Sequence, residues 1–124
     1  MKIKKLHGLG NHLMLDGYSE AEIHNTMFIE NILMGIVKQV KMNAISKPLV
    51  INHTADDNLE SGITGVIILA ESSITIHTYP NKKWFTLDIY SCNEFDIGSA
   101  INFLVDKLKV TKYKKQIIMR GEDI

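Results

Sequence analysis

The side chains best suited to chemistry lie between Thr64 and Cys92. This part of the chain carries hydroxyl groups, acids, an imidazole and a thiol, on Thr64, Glu71, Ser72, Ser73, His77, Asp88 and Cys92. Ser72 follows an apolar run, His77 lies in the alternating segment after it, and Cys92 ends the next strand-like segment. If these strands pair in an antiparallel sheet, we expect Ser72, His77 and Cys92 to meet at one edge.

The same residues are compatible with a serine or cysteine hydrolase, in which His77 activates a nucleophile and Asp88 orients the imidazole. The chain lacks the Gly-x-Ser-x-Gly turn that presents the serine in many such enzymes. A metal site is disfavoured, because the histidines are scattered and neither a Cys-x-x-Cys nor a His-x-x-x-His pair occurs.

The composition excludes several classes of partner. The formal net charge is +0, with 45% hydrophobic and 23% charged residues, so nothing favours nucleic acid or an anionic membrane. One cysteine rules out an intrachain disulfide and favours the cytoplasm. The N-terminus does not read as a signal peptide, and the apolar run at 66–70 is too short to span a bilayer.

Hydrophobic periodicity predicts the helices and strands that must position these residues. Two amphipathic helices are predicted, one begun by a Ser19-x-x-Glu22 capping box and ending near 42–43, the other capped by Asp96. Apolar or alternating runs predict strands at 12–16, 49–53, 65–70, 74–78, 84–90 and 113–119. This order predicts one α+β domain over 1–124, a two-layer sandwich with two helices on one face of a largely antiparallel sheet.

A sheet with helices on one face leaves its other face to be covered or polar. A chain of 124 residues is also short for a large cleft within one subunit. We therefore expect a homodimer, in which a second copy covers the sheet and completes the pocket.

The segment from Gly65 to Pro80 resembles the processing site of the S-adenosylmethionine decarboxylase proenzyme family, in its short prokaryotic form. The resemblance continues through 88–92 and includes the N-terminal strand at 10–13, so it spans essentially the whole chain. Its most specific part comprises Ala70-Glu71-Ser72, Ile76-His77-Thr78, Pro80 and a cysteine twenty residues after the serine.

This resemblance implies a role for each residue of the motif. Ser72 becomes a covalent pyruvoyl group when the chain cuts itself after Glu71, which yields a 1–71 beta chain and a 72–124 alpha chain. His77 assists the cut with the help of Thr64, and Cys92 donates a proton after decarboxylation. The family's prokaryotic members are dimers, so two alpha and two beta chains are implied.

The implied chemistry is coherent for an amino-acid decarboxylase. A pyruvoyl ketone forms a Schiff base with the substrate amine, and its conjugated carbonyl draws away the electrons left when CO₂ departs. The implied substrate is S-adenosylmethionine, whose decarboxylated form is the aminopropyl donor for spermidine and other polyamines.

The sequence departs from the family at two positions. Ser73 replaces the usual histidine after the processed serine, and Asn81, followed by two lysines, replaces a glutamate that binds the substrate's ribose. Asn81 could still bond to the ribose and Tyr79 could stack on the adenine.

Two alternatives therefore stay open. One is decarboxylation of L-arginine or L-ornithine, with the acidic loop of Asp56, Asp57 and Glu60 binding the distal cation, although solvent exposure is the simpler reading of that loop. The other is a non-catalytic family relative.

Overall fold

The computed structural model describes residues 10–70 and 72–121. In this part of the chain, two α-helices, α1 (Thr26–Gln39) and α2 (Ile97–Lys107), accompany six strands. The strands are β1 (Gly10–Ser19), β2 (Leu49–His53), β3 (Gly62–Ile68), β4 (Ser72–Tyr79), β5 (Trp84–Ser91) and β6 (Val110–Arg120). Short 3₁₀ turns cover Asn58–Glu60 and Pro80–Lys82. None of the helices described is long and apolar enough to cross a membrane.

All six strands join one sheet in the order β2-β3-β4-β5-β1-β6, and every neighbouring pair is antiparallel. Hairpins connect β3, β4 and β5, whereas β1 enters between β5 and β6 from the other end of the chain. The hairpins fix which residues of β3, β4 and β5 face one another, and these three strands carry most of the candidate site.

Both helices pack on the same face of the sheet and form one core with it. Apolar residues at every second strand position meet the buried stripes of the helices. The fully buried side chains include Leu13, Leu15, Ile74, Ile76, Phe85, Leu87 and Ile89 from the sheet and Ile29, Leu33, Ile36 and Leu104 from the helices. The predicted α+β sandwich with two helices on one face is therefore confirmed.

The start of α1 differs from the prediction. Asn25 caps the helix, accepting a bond from the Phe28 amide at 3.1 Å. Ser19 instead ends β1, and its hydroxyl bonds to the carbonyl of Leu108, which precedes β6. That partner is 89 residues away, so the local capping-box pattern could not reveal it. Asp96 caps α2 as predicted, accepting from the Ser99 amide at 2.9 Å.

The face of the sheet opposite the helices, here called the open face, carries the alternate side chains of each strand. On β4 it includes Ser73, Thr75, His77 and Tyr79, which are all partly exposed, while Ile74 and Ile76 are buried beneath the helices. The open face therefore presents polar and aromatic groups that nothing else in the described residues covers.

Candidate active site

Ser72 and Cys92 lie at the same end of neighbouring strands. Ser72 begins β4 and is the register partner of Ser91, the last residue of β5, so Cys92 follows directly beyond that pair. The buried Ser91 hydroxyl accepts a bond from the Asn93 amide at 3.0 Å, which fixes the turn that carries Cys92. Of the three residues expected to meet at one edge, Ser72 and Cys92 therefore lie at the same corner within one chain.

Gly10 is required where β1 passes this corner. A Cβ at this position would lie 1.8 Å from the Ser91 carbonyl oxygen and 2.8 Å from the Cα of Cys92. Both distances are far below van der Waals contact, so only a glycine allows β1 to approach. The backbone around Cys92 is consequently held by direct strand contact.

The turn between β3 and β4 is held from two sides. The Leu69 amide donates to the carbonyl of Ser72 at 2.8 Å, and the Ala70 amide donates to the carbonyl of Asn43 at 2.8 Å. Glu71 lies outside the described residues, so only the Ser72 side of the predicted cleavage bond is described. On that side, the Leu69 amide is a fixed hydrogen-bond donor to the carbonyl of Ser72.

Thr64 and His77, two further candidate residues, lie side by side. They are register partners on β3 and β4, and the Thr64 Oγ1 lies 3.0 Å from the His77 Nδ1, within hydrogen-bond distance. With Glu60 and Tyr79 they line a cavity of about 120 Å³. The structure therefore brings together the two residues assigned to assist self-processing.

The prediction that His77 meets Ser72 and Cys92 at one edge is wrong within a single chain. His77 lies five residues along β4 from Ser72, which at the usual strand rise is about 16 Å. The odd spacing also places the two side chains on opposite faces of the sheet. Thr64 and His77 thus stand apart from the corner formed by Ser72 and Cys92.

Of the two predicted substrate-binding residues, Tyr79 lines the cavity beside the Thr64–His77 pair and Asn81 does not. Tyr79 ends β4 on the same face as His77, and the Lys82 ammonium lies 4.8 Å from the centre of its ring. Asn81, in the second 3₁₀ turn, donates from its Nδ2 to the carbonyl of Asn58 at 3.0 Å. The Asn81 amide therefore ties the two 3₁₀ turns together.

A further pair on the open face was not predicted. The His12 Nε2 lies 2.8 Å from the Asp88 Oδ1. The two residues are 76 positions apart, so no sequence spacing could have indicated their contact. Because Asp88 pairs with His12 and His77 bonds to Thr64, the triad required for the hydrolase alternative is not assembled.

Asp16 extends this polar group on the open face. Burial raises the pKa of its carboxyl above the ordinary 3.8, the negative charge of Asp88 adds to the rise, and Lys114 opposes it. Within residues 10–70 and 72–121, no three histidine, cysteine or acidic side chains lie close enough to hold a metal ion.

Comparison with known proteins is consistent with this geometry. Residues 11–121 match the profile of the S-adenosylmethionine decarboxylase family. An S-adenosylmethionine decarboxylase proenzyme of Thermoplasma acidophilum is 32% identical over 120 residues, covering 94% of this chain and 87% of the relative. One from Clostridium botulinum (strain Langeland) is 28% identical over 116 residues, covering 91% and 95%.

A solved structure of an adenosylmethionine decarboxylase has a similar fold. The crystal structure of the adenosylmethionine decarboxylase from Aquifex aeolicus superposes with a TM-score of 0.76 at 30% identity, covering 91% of each chain. The profile match extends over nearly all of the described residues and includes the Ser72–Cys92 corner and the Thr64–His77 pair. This chain therefore belongs to the S-adenosylmethionine decarboxylase family.

Proposed function

We propose that this protein cuts itself before Ser72, carries the resulting pyruvoyl group and decarboxylates S-adenosylmethionine for polyamine synthesis. The observation that carries the proposal is the corner at which Ser72 begins β4 and Cys92 follows β5, in a chain of this family. The arginine and ornithine alternatives share the chemistry, but the relatives found are named for S-adenosylmethionine.

Self-processing requires only atoms of the chain and one water molecule. The Ser72 Oγ attacks the carbonyl carbon of Glu71, and the peptide C–N bond breaks as the ester forms. Loss of the residue 72 α-proton expels the Glu71 carboxylate and leaves dehydroalanine. Water then releases ammonia and leaves a ketone. His77, hydrogen-bonded to Thr64, is the proposed base for the α-proton.

The residues around Ser72 fit a pyruvoyl group. The group, once formed, supplies an electron sink for the substrate's α-carbon. The carbonyl of residue 72, which remains after cleavage, accepts a bond from the Leu69 amide, so the new terminus of β4 stays anchored. Cys92 directly follows Ser91, the register partner of Ser72, and this proximity along the sheet supports its proposed role of returning a proton to the α-carbon.

The separation of Ser72 from His77 supports a dimeric active site. General base catalysis needs contact at about 3 Å, and about 16 Å of β4 lies between the two residues of one chain. The cavity of about 120 Å³ beside His77 is also smaller than the roughly 300 Å³ at which small-molecule sites begin. We infer that Thr64 and His77 of one copy serve Ser72 of the other.

The open face supports this arrangement because its β2–β3 end is apolar. Leu49, Ile51 and Ile68 are 58%, 55% and 51% exposed there, and all share the face of Thr64 and His77. Pairing the open faces of two copies would bury these side chains and bring the Thr64–His77 pair against a second chain.

Release of CO₂ from carboxyl-labelled substrates tests the proposed activity. The purified protein is expected to release CO₂ from S-adenosylmethionine and far less from arginine or ornithine, with Ser72→Ala inactive on all three. Release from arginine or ornithine alone would replace the proposed substrate. Absence of release from every substrate by fully cleaved protein would favour a non-catalytic relative.

A further inference from the structure

The Lys82 ammonium occupies a position suited to an organic cation. Its Nζ lies 3.1 Å from the Glu60 Oε2 and 4.8 Å from the centre of the Tyr79 ring. An aromatic face attracts an organic cation such as a quaternary ammonium group, and a nearby carboxylate adds the attraction of an opposite charge. Glu60 and Tyr79 both line the cavity beside His77, so Lys82 contacts two walls of that cavity.

The first 3₁₀ turn holds Glu60 in this place. Asp57 caps the turn, accepting from the Leu59 amide at 2.9 Å, and Asn81 fastens it to the second turn through the carbonyl of Asn58. The carboxylate of Asp57 is therefore engaged within its own loop. Among the described residues that line the cavity, Glu60 is the single carboxylate.

We propose that Glu60 and Tyr79 form a subsite for the positive charge of the substrate, and that Lys82 fills this subsite until the substrate displaces it. The identity of that charge as a sulfonium rests on the proposed function. The side chains of Lys82 and Glu60 are 38% and 56% exposed, so their ion pair is weak enough to open. Lys82 is thus an internal competitor that sets the affinity for the cation.

A matched ion pair away from the cavity provides the control. Lys83 lies 3.1 Å from Glu20, the same distance as in the Lys82–Glu60 pair. Glu20, unlike Glu60, does not line the cavity. Replacing members of this pair removes the same charges from the protein. A general effect of net charge would appear in both pairs, whereas a local effect appears only in variants of Lys82 and Glu60.

Calorimetry on the full-length Ser72→Ala protein measures binding without turnover. The probes are S-adenosylmethionine and S-adenosylhomocysteine, whose sulfur is neutral, and the readout is the ratio of their dissociation constants. We expect Glu60→Gln to lower the preference for the sulfonium about two- to five-fold and Lys82→Met to raise it by about the same factor. Glu20→Gln and Lys83→Met should leave the ratio unchanged.

The measured ratios decide whether the cation subsite exists. A ratio that moves in neither Glu60→Gln nor Lys82→Met, while S-adenosylmethionine still binds, overturns the subsite and leaves the proposed function intact. Absence of binding in every variant counts against both. In cleaved protein, the two substitutions should change KM for CO₂ release and leave kcat unaltered; a change confined to kcat would contradict a binding role.

Discussion

Mixing two inactive variants tests whether His77 acts across a dimer. Ser72→Ala lacks the residue to be cut, and His77→Ala lacks the proposed base, so each protein alone should remain a single chain. In a mixed dimer, the His77→Ala chain retains Ser72 and receives His77 from its partner. We therefore expect this chain, and not the other, to be cut.

The structure sets the size of the effect. About 16 Å of strand separates Ser72 from His77 in one chain, against about 3 Å for proton transfer, so action within the chain contributes nothing. With equal amounts and random pairing, about half of the dimers are mixed. About half of the His77→Ala chains, and about a quarter of all chains, should then be cleaved.

The assay is co-expression with different affinity tags, followed by a denaturing gel and sedimentation to confirm the dimer. His53→Ala is the matched control, since His53 lines the same cavity from β2 and is expected to be dispensable for cleavage. No fragments from a mixture that forms dimers would refute action across the interface. Cleavage of His77→Ala alone would refute the role of this histidine altogether.

Three further predictions concern single substitutions. Cys92→Ala should be cut normally but turn over about 100-fold more slowly, because it lacks the proton donor; unchanged turnover in the CO₂ assay would exclude the thiol. Gly10→Ala should lower the free energy of unfolding by about 1–3 kcal/mol, because its Cβ meets the Ser91 carbonyl. Gly98→Ala should show no such loss in the same denaturant titration, because its Cβ would lie 3.5 Å from the Asp96 Oδ1, an ordinary van der Waals contact. Asp16→Asn should raise Tm at neutral pH, because the raised pKa of Asp16 means that its ionised form is disfavoured in the folded state. Stability contributed by this group falls as pH rises above 3.8, so the gain should vanish at lower pH, and a pH-independent gain would contradict the reasoning.

Local patterns predicted most of the secondary structure. The alternating run at 74–78 was predicted as a strand and lies within β4, and Asp96 was identified as the cap of α2. The boundaries were less accurate, because β1 runs from Gly10 to Ser19 and Gly17 lies inside it. A glycine usually indicates the end of a strand. Here the strand continues because β1 pairs with both β5 and β6 at Gly17.

The site was predicted in part. The Thr64–His77 contact follows from the hairpin register, and the Ser72–Cys92 corner follows from the next one. The separation of Ser72 from His77 could have been foreseen. Five residues of strand span about 16 Å, and an odd spacing puts the two side chains on opposite faces of the sheet. The His12–Asp88 pair could not, because it depends on how β1 inserts beside β5.

The intact mass of the purified, untreated full-length protein tests the central claim most directly. We predict two species, 1–71 with an ordinary carboxyl terminus, and 72–124 lighter than its sequence by one ammonia, as a keto terminus requires. A single uncut chain of 124 residues in catalytically active material, or a cut before Ser73, would contradict the account.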